Sequence, residues 1–141
     1  MKILIFGAGK IARGFIGHML WKGGSEFCFI ESNESLAERL KGCKSYQVRI
    51  LGKEIQVDEV DGFSTWSYAD VEKIVQSISD SVETIFISVG GKNLYSVGSC
   101  IKNGLQKRMQ VHNYKPINII LCENWLQPAA IISQAIFAEA K

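Results

Sequence analysis

Ile3-Leu4-Ile5-Phe6-Gly7-Ala8-Gly9-Lys10-Ile11-Ala12 is the stretch that decides the fold of this chain. Its first four residues are apolar on both faces, as in a central strand of a parallel sheet, and a helical pattern begins at about Lys10. Gly7 permits a tight turn between the two elements, and Gly9 has no Cβ that would keep a phosphate away from the backbone. Ala12 is small enough for the helix to pack closely on the sheet. A strand, a Gly-x-Gly-x-x-Ala turn and a helix in this order are typical of a dinucleotide-binding unit.

The start of this helix is a second feature that suits a phosphate group. The first backbone N–H groups of a helix have no intrahelical partner, and the helix dipole places a partial positive charge there. Arg13 either assists the phosphates or only covers the first helical turn, and a glycine turn without any ligand is the simpler alternative for the whole motif. We expect the cofactor to contact Gly7, Ala8, Gly9, Lys10, Ile11, Ala12 and Arg13.

Glu31 supports the dinucleotide interpretation. It follows the second predicted strand, residues 27–30, and stands about 20 residues after Gly9, where an acid that binds a ribose is expected. Its carboxylate can accept hydrogen bonds from the 2′- and 3′-hydroxyls of an adenosine ribose, and it would repel the 2′-phosphate of NADP. The sequence therefore predicts NAD as the cofactor. A solvated acid at a strand end is the alternative.

The order of the predicted elements indicates one α/β domain over residues 1–141. Short apolar runs typical of strands alternate with stretches of helical period, which predicts a Rossmann-type, doubly wound, mostly parallel sheet with helices on both faces. Alternating residues on both sides of the Gly52-Lys53 turn predict an antiparallel β-hairpin over residues 46–57. The first helix is expected to bury one apolar stripe, formed by Ile11, Phe15, Met19 and Leu20.

Polar residues and glycines follow four of the predicted strands. In an open α/β sheet, ligands bind outside the carboxyl ends of the strands, so these segments are expected to converge on one site. They are the glycine turn itself, Glu31 with Asn33, Ser88 to Gly91 after the strand at 84–89, and Glu123-Asn124 after the strand at 117–122. The expected cofactor contacts therefore also include Asn33, Ser88, Val89, Gly90, Glu123 and Asn124.

Composition and charge exclude several functional classes. Apolar residues make up 47% and charged residues 21% of the chain, as in an ordinary globular protein. A net charge of +2 is too small to indicate nucleic acid as a partner. No apolar run approaches the roughly 20 residues that span a bilayer, and the N-terminus lacks the pattern of a signal peptide. We expect a cytoplasmic protein with neither a nucleic acid nor a membrane partner.

The reactive side chains form no metal-binding or nucleophile pattern. The four cysteines have no spacing typical of a zinc site, and those inside predicted elements are expected to behave as small hydrophobic residues. His18 and His112 have no acid nearby in the sequence, so both are expected on the surface or on a helix face. The three tryptophans are expected to be packing residues: Trp21, Trp66 and Trp125. A position near a ligand is the alternative for Trp125, because it follows Asn124.

The run from Phe6 to Gly17 closely resembles the opening of mannitol-1-phosphate 5-dehydrogenases. The likeness continues in three later motifs, in the same order and at matching spacing. The long first run and the last motif are specific to the wider mannitol dehydrogenase family of polyol and hexuronate dehydrogenases. Lys10 and Ala12 stand where that family often has asparagine and glycine. Membership of a neighbouring branch of polyol dehydrogenases is therefore an alternative. The later motifs are Ser45-Tyr46-Gln47-Val48, Ser88-Val89-Gly90 and Cys122-Glu123-Asn124.

The resemblance implies NAD-dependent, reversible oxidation of a sugar-alcohol phosphate, here mannitol 1-phosphate to fructose 6-phosphate. It implies that residues 3–14 cradle NAD, that Glu31 and Asn33 hold the adenosine end, and that Ser88 to Gly90 line the nucleotide. By the same likeness, Asn124 lies closest to the nicotinamide. The family's catalytic lysine, with an asparagine and a histidine, belongs to a helical C-terminal domain that these 141 residues do not include. We therefore expect this chain to bind NAD(H) but to turn over little substrate without that domain as its partner.

Two other functional classes stay open on the sequence alone. A stand-alone regulatory module that senses NAD(H) has a similar length, the same glycine turn and a strand-end acid. It does not share the Gly14-Phe15-Ile16-Gly17 and Cys122-Glu123-Asn124 runs. A methyltransferase domain fits less well, because its cofactor has no pyrophosphate and gives a phosphate-binding helix start no role.

Overall fold

A five-stranded parallel sheet forms the centre of the computed structural model, which describes residues 1–124 and 126–137. A separate two-stranded antiparallel sheet packs beside it. In chain order the strands are β1 (Ile3–Phe6), β2 (Cys28–Glu31), β3 (Ser45–Ile50), β4 (Gln56–Asp61), β5 (Ser64–Ser67), β6 (Thr84–Ile87) and β7 (Asn118–Leu121).

The first helix starts at Lys10, becomes π-helical over Ala12–Gly17 and continues as an α-helix. Short 3₁₀ turns at Tyr68–Asp70 and Gly91–Asn93 lead into two of the later helices. The α-helices are α1 (His18–Lys22), α2 (Glu34–Gly42), α3 (Val71–Asp80), α4 (Leu94–Gln110) and α5 (Pro128–Phe137).

The strand order of the main sheet is β5-β2-β1-β6-β7, and every neighbouring pair is parallel. From β1 the chain first adds β2 and then β5 on one side. After β5 it crosses to the other side of β1, where it adds β6 and then β7. This reversal makes a topological switch point between β1 and β6, where ligands bind in open α/β sheets. The predicted Rossmann-type fold, with its mostly parallel sheet, is confirmed.

Each face of the main sheet has its own hydrophobic core, because the side chains of a buried strand alternate between the faces. Leu4 and Phe6 point into the core that α3, α4 and α5 cover, whereas Ile5 points into the core beneath the first helix and the hairpin. All three side chains are fully buried. Burying one such side chain stabilises the fold by about 1.5–3 kcal/mol, so β1 anchors both layers.

The first helix buries a different face from the one that the sequence predicts. Ala12 has to face the sheet for the helix to lie close to β1, and the helical repeat then places Ile16 and Leu20 on the same side. Ala12 and Ile16 are fully buried, and Leu20 packs against the same core. Close packing at Ala12 therefore decides which face is buried, although the side chains of the expected stripe are larger. The prediction of the buried stripe was wrong for three of its four residues. Those three are exposed: Ile11 at 57%, Phe15 at 64% and Met19 at 46%.

Strand β5, which pairs with β2, is not among the elements predicted from the sequence. Three of the four residues of β5 are serine or threonine, so the segment lacks the apolar run by which the other strands were predicted. Its pairing with β2 buries Thr65 and Ser67, and this tertiary contact decides the local structure. The predicted hairpin is confirmed as β3 and β4, and it extends as far as Asp61.

The remaining sequence predictions about packing are mostly confirmed. Trp21 and Trp66 are partly buried against the two cores, whereas Trp125 lies outside the described residues. Cys28 is a buried free thiol in β2, and desolvation raises its pKa to about 12. Over residues 1–124 and 126–137, no helix is both long enough and apolar enough to cross a membrane.

Candidate functional site

Gly7 brings the ends of the two central strands together at the switch point. Its φ of +100° lies in the region that favours glycine, and a Cβ on Gly7 would stand 2.1 Å from the carbonyl oxygen of Ser88. The backbone is fixed on both sides, since Gly7 N–H donates to the carbonyl of Ile30 at 2.7 Å and Ser88 N–H donates to that of Phe6 at 2.8 Å. The Ser88 segment therefore closes against the glycine turn, as the sequence predicts.

Gly9 differs from Gly7 because nothing in the fold requires a glycine there. It is exposed, its φ is not in the left-handed region, and a Cβ built on it would meet no described atom within 4 Å. The open space above Gly9 adjoins the first turn of the helix, whose leading N–H groups have no intrahelical partner. This free space beside N–H donors fits a pyrophosphate group.

Glu31 holds two loops together with one carboxylate. Its Oε1 accepts a hydrogen bond from Ala8 N–H at 2.9 Å, and its Oε2 accepts one from Asn33 N–H at 2.7 Å. Only 9% of Glu31 is exposed. Each carboxylate oxygen can accept two hydrogen bonds, so one acceptor position on each remains for a ribose hydroxyl. The geometry is compatible with the predicted ribose contact, but it also gives Glu31 a structural role that the sequence analysis missed.

Asn33 also has a structural task at this position. Its side-chain oxygen accepts a hydrogen bond from Leu36 N–H at 3.1 Å, which makes it the N-cap of α2. The side-chain amide N–H₂ group stays available as a donor next to Glu31. Asn followed by the acidic residue Glu34 is the ordinary sequence pattern of a helix start, so this cap could have been recognised.

Glu123 repeats the arrangement of Glu31 on the other side of the sheet. It follows β7, and its Oε1 accepts hydrogen bonds from Val89 N–H at 2.5 Å and from Gly90 N–H at 3.1 Å. In both places, a glutamate at or just after the end of one strand holds the loop that follows the next strand toward the centre of the sheet. Asn124 is exposed beside it. The structure thus brings the four predicted strand ends to one edge of the sheet.

The other residues predicted to bind the cofactor fall into two groups. Lys10 and Ile11 are exposed at the helix start, whereas the side chain of Ala12 is fully buried and can only serve packing. Arg13 is partly exposed, and its Nε lies 3.4 Å from the carbonyl oxygen of Gly9. This contact directs the guanidinium group back toward the glycine turn, and its remaining N–H groups stay available as donors.

The hairpin docks on the first helix through polar contacts that the sequence did not reveal. The Tyr46 hydroxyl donates to the carbonyl of Arg13 at 2.8 Å, and it comes so close to Gly17 that a Cβ there would stand 2.6 Å from the oxygen. His18 Nε2 lies 2.7 Å from Asp58 Oδ2, and this hydrogen bond lowers the pKa of the Asp58 carboxyl. His18 has no acid nearby in the sequence, and the partner that the fold gives it is 40 residues away.

Across the described residues, no group of three or more His, Cys, Asp and Glu side chains is placed to hold a metal ion. Ionisable groups with shifted pKa values occur both beside the strand-end site and away from it. Beside the site, burial and, to a lesser extent, the charge of Glu123 raise the pKa of Cys122. Burial raises the pKa of Cys100 to about 11. A backbone hydrogen bond from Ser67, together with a weaker contribution from Lys41, lowers the pKa of Asp70. Within the part of the chain that the structure describes, the candidate site consists of backbone N–H groups and two loop-holding glutamates.

Comparisons with known proteins agree with this geometry. A family model described as the mannitol dehydrogenase Rossmann domain matches residues 1–141. The chain is also 37% identical over 136 residues to a mannitol-1-phosphate 5-dehydrogenase of Thermoanaerobacter pseudethanolicus. That alignment covers 96% of this chain and 34% of the relative, so the chain spans about a third of the length of the curated relative that it matches.

Proposed function

The chain belongs to the mannitol dehydrogenase Rossmann-domain family, and on this premise we propose that it binds NAD at the carboxyl edge of its parallel sheet. The pyrophosphate lies over Gly9 at the start of the first helix. The adenosine ribose lies against Glu31, whose negative charge disfavours the 2′-phosphate of NADP. Ser88, Val89 and Gly90 line the nucleotide, and Asn124 stands on the nicotinamide side.

The observation that carries this proposal is the contrast between Gly7 and Gly9. Gly7 is required by the fold itself, because a Cβ would overlap Ser88. Gly9 meets no atom of the described residues that would require a glycine, so a ligand that approaches the backbone would explain this residue type. The adjacent helix start and the buried carboxylate of Glu31 supply the partners that a pyrophosphate and a ribose need.

We further propose that the chain serves, within a longer enzyme, the NAD-dependent oxidation of a polyol phosphate. The name of the relative suggests mannitol 1-phosphate as the substrate, and oxidation of that compound at C5 would give fructose 6-phosphate. When bound, NAD supplies the acceptor for the hydride that leaves the carbinol carbon. The residues of this chain hold and orient the dinucleotide, and the general base is expected in a helical domain beyond them. The family match over residues 1–141 favours this function over an NAD(H)-sensing module.

Calorimetric titration of the chain with NADH and with NADPH tests the cofactor site. We expect NADH to bind at least about tenfold more tightly than NADPH, and Gly9→Ala to weaken NADH binding by about tenfold or more. Gly42→Ala is the matched control, because its Cβ also meets nothing within 4 Å and it lies at the end of α2, away from the glycine turn. Neither variant should destabilise the fold by more than about 1 kcal/mol.

Two results would contradict the proposal. Equal NADH affinity in the Gly9→Ala variant and the unchanged chain would mean that the turn is only structural. Tighter binding of NADPH than of NADH would remove the proposed role of Glu31 in choosing the cofactor. The proposal that this chain alone oxidises little or no substrate is checked separately, by measuring NADH formation with mannitol 1-phosphate.

A further inference from the structure

A basic cleft separates the start of the first helix from the edge of the hairpin. It has a volume of about 470 Å³, and its cationic side chains come from both walls. Lys10 and Arg13 belong to the helix, and Arg49 belongs to β3. Tyr46 and Gln47 add polar groups between them. The glycine turn, residues 7–9, does not line this space, so the cleft is a neighbour of the proposed pyrophosphate position rather than a part of it.

The three cations of the basic cleft are not neutralised by the protein. Over residues 1–124 and 126–137, none of Lys10, Arg13 and Arg49 has a carboxylate oxygen within 4.0 Å of its charged nitrogens. Other cations of the chain are paired, for example Lys41 with Asp70 at 3.2 Å. Three unpaired positive charges around one concave space repel each other, and an anion in the cleft would relieve that repulsion.

The walls of the basic cleft are held in place by contacts that do not use these charges. The Tyr46 hydroxyl joins the hairpin to the Arg13 carbonyl, and Gly17 gives the tyrosine room to approach. Arg13 belongs to the π-helical segment, and such segments are frequent at functional sites. Within the described residues β3 pairs only with β4, so its other edge presents unpaired backbone groups. Arg13 uses its Nε to contact the Gly9 carbonyl oxygen. Its terminal N–H groups and the charged groups of Lys10 and Arg49 therefore remain available to a ligand on a fixed frame.

We propose that the basic cleft is a binding site for a phosphate monoester. A phosphate monoester carries close to two negative charges at neutral pH and offers several acceptor oxygens, which suits two guanidinium groups and an ammonium group. Two candidate ligands carry such a group: a polyol phosphate substrate, and NADP with its 2′-phosphate. The choice of these two probes rests on the proposed function, but the charge and shape of the cleft do not.

NMR titration of the chain with mannitol 1-phosphate, with mannitol and with NADPH tests this inference. We expect mannitol 1-phosphate to shift the backbone amide signals of residues 47–49, and mannitol at the same concentration to leave them unchanged. Arg49→Gln should weaken the binding of mannitol 1-phosphate by about tenfold, because it removes one charged bidentate donor. Lys53→Gln is the matched control, since it removes one positive charge from the exposed turn of the same hairpin, outside the cleft. It should change the affinity less than twofold.

The outcomes separate the two phosphate sources and the two proposals. If Arg49→Gln weakens NADPH but not NADH, and mannitol 1-phosphate causes no shifts, the monoester is the 2′-phosphate of the nucleotide. The inference is overturned if Arg49→Gln changes the affinity for neither mannitol 1-phosphate nor NADPH. It is also overturned if Arg49→Gln changes these affinities no more than Lys53→Gln does. NADH binding that is lost in Gly9→Ala but unaffected by Arg49→Gln supports the proposed function whatever the cleft does. If NADH does not bind but mannitol 1-phosphate binds in an Arg49-dependent way, the proposed function is overturned. The inference that the basic cleft binds a phosphate monoester is then still supported.

Discussion

The backbone N–H of Ala8 donates a 2.9 Å hydrogen bond to Oε1 of Glu31, so the end of β2 holds the turn that follows β1. The second oxygen of the same carboxylate holds Asn33 N–H at 2.7 Å. A residue that sequence patterns mark as a ribose ligand thus also determines the shape of the surface on which the ribose would lie. Its substitution should affect both stability and cofactor choice.

Glu31→Gln is expected to destabilise the chain by about 1–3 kcal/mol, because an amide has one accepting oxygen and leaves one buried N–H without a partner. Urea unfolding of the two proteins measures this difference. Glu54→Gln, an exposed position in the hairpin turn, provides the control and should change the free energy of unfolding by less than about 0.5 kcal/mol. Equal stability of the Glu31 and Glu54 variants would refute the loop-holding role.

Gly7→Ala is expected to destabilise the chain by about 3 kcal/mol or more, because it combines a left-handed φ with a backbone clash against Ser88. Gly9→Ala, two residues away, should be nearly neutral for stability. Thermal unfolding followed by circular dichroism compares the two variants directly. Similar melting temperatures for both variants would show that the turn relaxes more easily than its geometry indicates.

The pair His18–Asp58 gives the stability a defined dependence on pH. The hydrogen bond from His18, with a smaller contribution from Lys22, lowers the pKa of Asp58 below its ordinary value of 3.8. A carboxyl whose folded pKa is lowered stabilises the fold above that ordinary value, and the contribution is lost as the pH falls through the lowered pKa. We therefore expect the free energy of unfolding to decrease below about pH 3.8 by more in the unchanged chain than in Asp58→Asn.

Urea unfolding at a series of pH values between about 5 and 2 measures this difference. Asp80→Asn removes the same charge from an exposed position at the end of α3, and its pH dependence should follow that of the unchanged chain. An identical acid dependence in Asp58→Asn and the unchanged chain would mean that the pair does not stabilise the docked hairpin.

The parts of the fold that sequence reasoning predicts are those with local signals. The strand, glycine turn and helix around Gly7 and Gly9 lie within a few residues, and each element has its own pattern. Glu31 is predictable for the same reason, since the spacing from the turn fixes its place at the strand end. β5 was missed because its serine and threonine residues acquire their structure from the pairing with β2.

The parts that sequence reasoning does not predict depend on contacts between distant segments. His18 and Asp58 are in contact only because the hairpin folds back over the first helix. No sequence pattern near either residue predicts this contact. The buried face of that helix was predicted wrongly because two apolar stripes compete, and only the close approach at Ala12 decides between them. The basic cleft likewise depends on bringing Arg49 beside Lys10 and Arg13.

The place of β1 in the sheet also determines when the site can exist. β1 pairs with β6 at Ile3↔Thr84, so this neighbour lies about 80 residues further along the chain. Closing so long a loop costs chain entropy, which makes the β1–β6 pairing slow relative to the local hairpin. A dinucleotide bound across both strand ends, as we propose, would have little affinity for a sheet that lacks this pairing. Its binding energy would therefore stabilise only those chains in which β1 and β6 have paired.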